Sequence, residues 1–158
     1  MTNEDFAVRV IQMQGTLYRV TCAILRDHAD REDAVQSAIE KAWRKRGLLR
    51  DESKMKPWMT RILVNECRAI LRRQKRETPV EEFPEAPAPE TSNPDLYRFF
   101  TELPDTLRLT MVLHSLEGWD VKDGALILQL PANTVKSRLM RGREKLKENE
   151  PVKEALGL

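Results

Sequence analysis

The chain has 158 residues, of which 41% are hydrophobic, 6% aromatic and 33% charged, with a formal net charge of +2. No apolar run approaches the roughly 20 residues that span a bilayer, and Met1–Asp5 lacks the basic opening of a secretory signal, so the cytoplasm is the expected compartment. Only Cys22 and Cys67 occur, far apart, which argues against a disulfide scaffold or a cysteine zinc site.

The net charge hides a strong segregation. From Lys41 to Arg76 there are 13 Lys or Arg against three acids, and from Glu77 to Asp105 there are eight acids against Arg98 alone. From Thr134 onward there are seven basic and four acidic residues. Two basic blocks around an acidic divider suit two polyanion-facing modules on a spacer. Solvated helix faces that happen to be Lys/Arg-rich would give the same pattern, so charge alone does not decide.

Taken in chain order, apolar residues recur at helical spacing almost throughout, and nothing alternates as a strand would, so the expected fold class is all-α. A first helix over about 4–14 aligns Phe6, Val10 and Met13. A second over about 16–27 aligns Leu17, Val20, Ile24 and Leu25, with Gly15 either breaking the two or letting them run together. A third is expected to start at Asp30, whose carboxylate can cap free amides. Its apolar stripe is Ala34, Val35, Ala38, Ile39, Ala42 and Trp43, which leaves Asp33, Gln36, Ser37 and Glu40 for solvent or a partner. A loop, Gly47 to Lys56, then leads to Pro57 at the first position of a fourth helix. That helix runs to about Arg76, with Trp58, Met59, Ile62, Leu63 and Ile70 inward and Arg61, Arg68, Arg72, Arg73, Lys75 and Arg76 elsewhere. Trp43 and Trp58 read as core anchors, and His28 and His114 are too isolated to suggest a metal.

Residues 78–95 (TPVEEFPEAPAPETSNPD) carry five of the nine prolines. Dense proline and repelling acids disfavour helix, so this stretch is expected to be a linker between units 1–77 and 96–158. Beyond it, Leu96–Leu103 is a lead-in, and Pro104-Asp105 opens a helix carrying Leu107, Leu109, Met111, Val112 and Leu116 until Gly118. Asp120 caps a short helix over about 121–129 that offers Ala125, Ile127 and Leu128. Leu130-Pro131-Ala132-Asn133 turns into a last helix over about 132–149. Two helices joined by so short a turn, the second one basic, form a helix-turn-helix pattern. In the last helix Val135, Leu139, Gly142 and Leu146 form the buried face. Lys136, Ser137, Met140, Arg141 and Arg143 occupy the other arc, with donors and a thioether suited to a major groove.

The segment LPDTLRLTMVLHSLEGWDVKDGALILQLPANTVKSRLMRGREKL resembles region 4 of the extracytoplasmic-function sigma factors of bacterial RNA polymerase, most specifically at TVKSRLMRGRE. Asp30–Arg44 (DREDAVQSAIEKAWR) and Lys56–Arg76 (KPWMTRILVNECRAILRRQKR) resemble region 2 of the same family, and the whole likeness covers about two-thirds of the chain. The resemblance implies a polymerase-binding face at Asp33, Gln36, Ser37 and Glu40, toward the coiled coil of the beta-prime subunit. It implies −10 DNA contacts at Arg61, Asn65, Arg68, Arg72 and Arg73, with Asn65 near a flipped base and the pocket around residues 47–56. It implies −35 contacts at Asn133, Lys136, Ser137, Arg138, Met140, Arg141 and Arg143, with Arg138 and Arg143 on phosphates, and a seat for Leu107–Leu116 on the beta flap. The implied partners are core RNA polymerase, promoter DNA and an anti-sigma factor that could hold the chain at a membrane. No cofactor, metal or small-molecule substrate is implied.

The sequence departs from the family at four places. Ser37 stands where a glutamate is usual and Ala69 where an aspartate is common; Gly124 replaces an apolar packing residue, and Gln129 replaces the glycine of the turn. Two other readings compete. A dimeric helix-turn-helix regulator would leave residues 30–76 unexplained, and a basic helical adaptor would bind without melting DNA. An enzyme is not expected, since no phosphate-cradling glycine loop, metal cluster or nucleophile constellation is present.

Overall fold

The computed structural model describes residues 1–77, 100, 102–149 and 154, and no strand occurs among them. The chain divides into two compact units, Met1–Ala86 and Pro87–Leu158. The expected linker, and most of the lead-in before Leu103, lie outside the described residues.

In the first unit, α1 (Asn3–Cys22) is a single helix where two were possible. Phe6, Val10, Met13, Leu17 and Val20 are all buried, so one apolar stripe runs past Gly15. Burying that stripe outweighs the ~1 kcal/mol that a helical glycine costs. The helix starts at a capping box: the Asp5 N–H donates to the Thr2 hydroxyl (3.0 Å) and the Thr2 N–H to the Asp5 carboxylate (3.3 Å). Helix α2 (His28–Arg44) begins earlier than the sequence suggested. Its cap is Asp27, which accepts from the Ala29 N–H at 2.8 Å, while Asp30 lies inside the helix and accepts from Gln74 Nε2 at 2.5 Å. Asp27 displaces Asp30 as the cap because an extra helical turn still finds an acceptor for its free amide. The joint between α1 and α2 is closed by the Tyr18 hydroxyl on His28 Nδ1 (2.5 Å), and His28 Nε2 faces Glu32 at 3.1 Å.

Helix α3 (Met55–Glu77) packs on both α1 and α2. It starts two residues before Pro57. Asp51 accepts from both the amide and the hydroxyl of Ser53, folding Glu52–Lys54 into a 3-10 turn that feeds straight into the helix. Pro57 then falls in the first turn, where a missing N–H costs nothing. Ala34, Ala38 and Ala42 of α2 are fully buried, together with Met59, Leu63, Val64 and Cys67 of α3. Small residues on α2 allow the larger ones on α3 to approach. Arg31, almost fully buried, donates through Nε to the Leu25 carbonyl at 2.9 Å, and Lys41 pairs with Glu66 across α2 and α3. Burial pushes the Cys67 thiol up to about 12, with the Glu66 carboxylate a secondary cause, so it is an unreactive packing group. Trp43 and Trp58 are half-buried rather than central; Trp43 meets Phe6 edge-on at 5.2 Å.

In the second unit, α4 (Asp105–Met111) continues as one π turn, Val112–Leu116, before Gly118 reverses the chain at φ 74°. Helix α5 (Val121–Leu128) is capped by Asp120, which accepts from the Asp123 N–H at 2.7 Å. Helix α6 (Ala132–Lys147) packs on α4 and α5 and ends slightly short of the expected 149. The core gathers Phe100, Leu103, Leu107, Met111, Val112, Leu113, Ile127, Leu128, Val135, Leu139 and Leu146. Gln129 takes the left-handed conformation, φ 56° and ψ 45°, that the turn demands. The Leu130 N–H reaches the Ala125 carbonyl at 3.1 Å, which closes α5 as a glycine-ended helix would be closed. The turn geometry is therefore kept despite the missing glycine.

Candidate nucleic-acid interface

Helix α6 is seated by its buried face and offers the other. Val135, Leu139, Gly142 and Leu146 are buried against α4 and α5. A Cβ on Gly142 would lie 2.6 Å from Cγ and Sδ of Met111, so only glycine allows α6 to come this close to α4. Asn133, Lys136, Ser137, Met140, Arg141 and Arg143 are exposed, Met140 at 62%, while Arg138 is half-buried at the edge of the arc. The Ser137 hydroxyl donates to the Asn133 carbonyl at 3.0 Å, which leaves its lone pairs outward. Arg141 Nε lies 3.5 Å from the Ser137 carbonyl, so its side chain runs along the outer surface. A single helix thus presents five donors or acceptors and one large thioether.

His114 joins this surface through both ring nitrogens. Its Nδ1 meets the Trp119 carbonyl at 2.8 Å, and its Nε2 meets Arg143 Nη2 at 3.3 Å. No sequence signal marks this pairing, because the two residues lie 29 positions apart and are joined only by packing of the π turn beside α6.

The second basic surface is α3. Arg61, Asn65, Arg68 and Arg72 follow 4, 3 and 4 residue steps, which puts them within one narrow stripe about 16 Å long. Asn65 and Arg72 are exposed, Arg61 and Arg68 half-buried; Arg73 and Arg76 flank the stripe, exposed. The segment expected to be a plain loop, 47–56, is more ordered. The turns Arg46–Leu48 and Glu52–Lys54 shape it. Arg46 stacks on Trp43 with its guanidinium carbon 3.6 Å from the ring centre and donates to the Trp43 carbonyl at 2.6 Å. Arg9 of α1 fixes the far end, donating to the Glu52 carbonyl (2.9 Å) and carboxylate (3.3 Å). Leu48, at the end of the first turn, is 72% exposed.

On α2, Asp33, Gln36 and Glu40 are exposed and Ser37 half-buried, opposite the buried alanines. This acidic face and the arginine stripe of α3 belong to one rigid bundle.

Residues 10–77 match Sigma-70 region 2 and residues 95–146 match Sigma-70 region 4. The chain is 33% identical over 135 residues to the ECF RNA polymerase sigma-E factor of Escherichia coli strain K12, covering 73% of this chain and 71% of that protein. It belongs to the ECF sigma factors. The same sigma-E factor from Salmonella typhimurium strain LT2 is 32% identical over 135 residues, with the same coverage, and the sigma-H factor of Pseudomonas aeruginosa is 25% identical over 159 residues, covering 88% of this chain and 82% of that one. Among solved structures, the sigma factor RpoE of Bartonella quintana, in complex with the anti-sigma factor NepR, matches with a TM-score of 0.79 at 28% identity over 92% of this chain and 96% of that one. CnrH shares the fold at a TM-score of 0.65 and 20% identity over 93% of this chain and 88% of that one. As a sigma factor the chain directs RNA polymerase to promoters for transcription initiation. Among the described residues no helix is long and apolar enough to cross a membrane.

Proposed function

We propose that residues 1–77 grip core polymerase and the −10 element, that residues 96–158 read the −35 element, and that residues 78–95 join them. In this reading Asp33, Gln36, Ser37 and Glu40 meet the beta-prime coiled coil, and the α4 region sits on the beta flap. Arg61, Arg68, Arg72 and Arg73 run along DNA backbone, and the exposed Asn65 of α3 holds an extruded base. Lys136, Ser137, Met140 and Arg141 face −35 base edges, while Asn133, Arg138 and Arg143 fix the register. The chain acts in the compartment of the polymerase. An anti-sigma factor is its regulator, by similarity to the RpoE–NepR pair.

The observation that carries this reading is that one small bundle carries an exposed acidic face on α2 and an arginine stripe on α3, two helices packed on a common core. A palindrome-binding regulator has no use for the first. Opening DNA without a fuel requires contacts that offset base extrusion, a few kcal/mol, and each stacking or pocket contact supplies about 1–3 kcal/mol. Replacing Asn65 with alanine should lower permanganate-detected promoter opening about tenfold or more, with core polymerase binding nearly intact. An equal loss of both would remove Asn65 from the base-holding role.

A further inference from the structure

We propose that His114 is a positioning residue that holds Arg143 in place for DNA, and that it does so only while the imidazole is neutral. This rests on the reading of α6 as the −35 helix.

The argument starts from donors and acceptors. A carbonyl can only accept, so the 2.8 Å contact of His114 Nδ1 with the Trp119 carbonyl puts a proton on Nδ1. In a neutral ring Nε2 then carries the lone pair, and a guanidinium can only donate. The 3.3 Å contact is therefore Arg143 Nη2–H donating to His114 Nε2. The carbonyl selects the tautomer, and the tautomer creates the acceptor, as a carbonyl behind a metal-bound histidine fixes its free nitrogen. The π turn is what makes this possible. The Glu117 and Trp119 amides bond back to Val112 and Leu113, which swings the Trp119 carbonyl onto the ring. Arg143 itself is exposed on α6, so its remaining donors stay available to a phosphate.

Protonation reverses the contact. Imidazolium has donors on both nitrogens, so the acceptor for Arg143 disappears and a like charge takes its place. The charged groups around the ring are Arg143 from α6 and Asp120, which lines the same small cavity as His114 and Trp119. Asp120 already accepts the Asp123 amide as the cap of α5. Glu117 lies at the end of the π turn. The ring thus has a cationic neighbour on its outer nitrogen and a committed backbone acceptor on its inner one.

The test uses holoenzyme assembled from the full chain and core polymerase, on a promoter and on a fragment with a scrambled −35 element, between about pH 8 and about pH 5. Wild type should lose affinity for both fragments about three- to tenfold as the pH falls, the scale of one lost hydrogen bond, because a phosphate contact carries no sequence information. His114→Gln, which carries an acceptor at every pH, should flatten that profile, and so should Arg143→Gln, which removes the donor. A profile that persists in Arg143→Gln would overturn the proposal, because the ring would then act by its own charge; a rise in affinity at low pH would do the same. In the free chain, long-range nitrogen–proton spectra should show the His114 proton on Nδ1 at high pH, and a proton on Nε2 would overturn the contact independently of DNA. Wild type whose affinity for both fragments is the same at every pH refutes the role of His114 alone, whereas no preference for the promoter at any pH refutes the −35 reading and this role with it.

Discussion

Replacing Gly142 with alanine places a methyl carbon 2.6 Å from Cγ and Sδ of Met111, about 1 Å inside ordinary carbon contact. Met111 is fully buried, so its side chain cannot swing into solvent to make room. Overpacking of this kind costs about 1–3 kcal/mol, against about 1 kcal/mol gained by removing a helical glycine, which leaves a net loss near 1 kcal/mol. Gly124 offers the opposite case in the same unit. It is also helical and buried, but its added Cβ meets only Val135 Cγ1, at the ordinary distance of 3.9 Å, beside a small cavity. Alanine there should therefore stabilise by about 1 kcal/mol. The two variants should lie about 2 kcal/mol apart, or about 8–16 °C in the melting of a domain of this size. Thermal unfolding followed by far-ultraviolet circular dichroism reads the difference. If Gly142→Ala melts at or above wild type, or both variants shift in one direction, the close seat of α6 on α4 is wrong. The same shift would tilt α6, the helix proposed to read the −35 element, so promoter affinity should fall with Gly142→Ala and hold with Gly124→Ala.

Gln129→Gly should stabilise the second unit by about 0.5–1 kcal/mol, since a side chain at φ 56° is strained by about 1–2 kcal/mol and glycine returns part of that through unfolded-state entropy; an unchanged or lower denaturant midpoint would show that the Gln129 side chain contributes more than the strain removes. The Cys67 thiol, pushed up to about 12 by burial, stays protonated in the native chain. Its folded value is raised, so its contribution is complete below the unfolded value of 9.0 and is lost as pH rises toward 12. Native protein at pH 8 should resist thiol reagents at Cys67, and Cys67→Ala should remove part of the alkaline destabilisation; rapid labelling of Cys67 in the native chain would contradict its burial. Arg141→Ala should weaken discrimination at a single −35 base pair by about 1–3 kcal/mol, read by binding to single-base variants of the promoter; an unaltered preference would exclude Arg141 from base reading.

The family to which the chain belongs was legible in its residues alone. Apolar spacing marked the buried face of each long helix, because a stripe such as Ala34, Ala38, Ala42 has one way to be buried, but not every bound: the helix expected to reach about 27 ends at Cys22 as part of α1. Local chemistry fixed some ends, as at Asp120, where the capping acid is the one nearest the start of the apolar pattern. It misplaced the start of α2, because Asp27 and Asp30 are equally good caps in isolation and only packing against Gln74 gives Asp30 another partner. The ordered 46–54 segment was hidden too, since Arg9 and Glu52 lie 43 positions apart and no local signal couples them. The exposed arc of α6 was legible because it is the complement of a buried one. The distances on which the proposed DNA contacts depend come from packing between distant segments: how closely Gly142 lets α6 approach Met111, and which atom of His114 faces Arg143. Periodicity says which side of a helix is covered, but only the neighbouring helix, brought from elsewhere in the chain, sets what covers it and how near it comes.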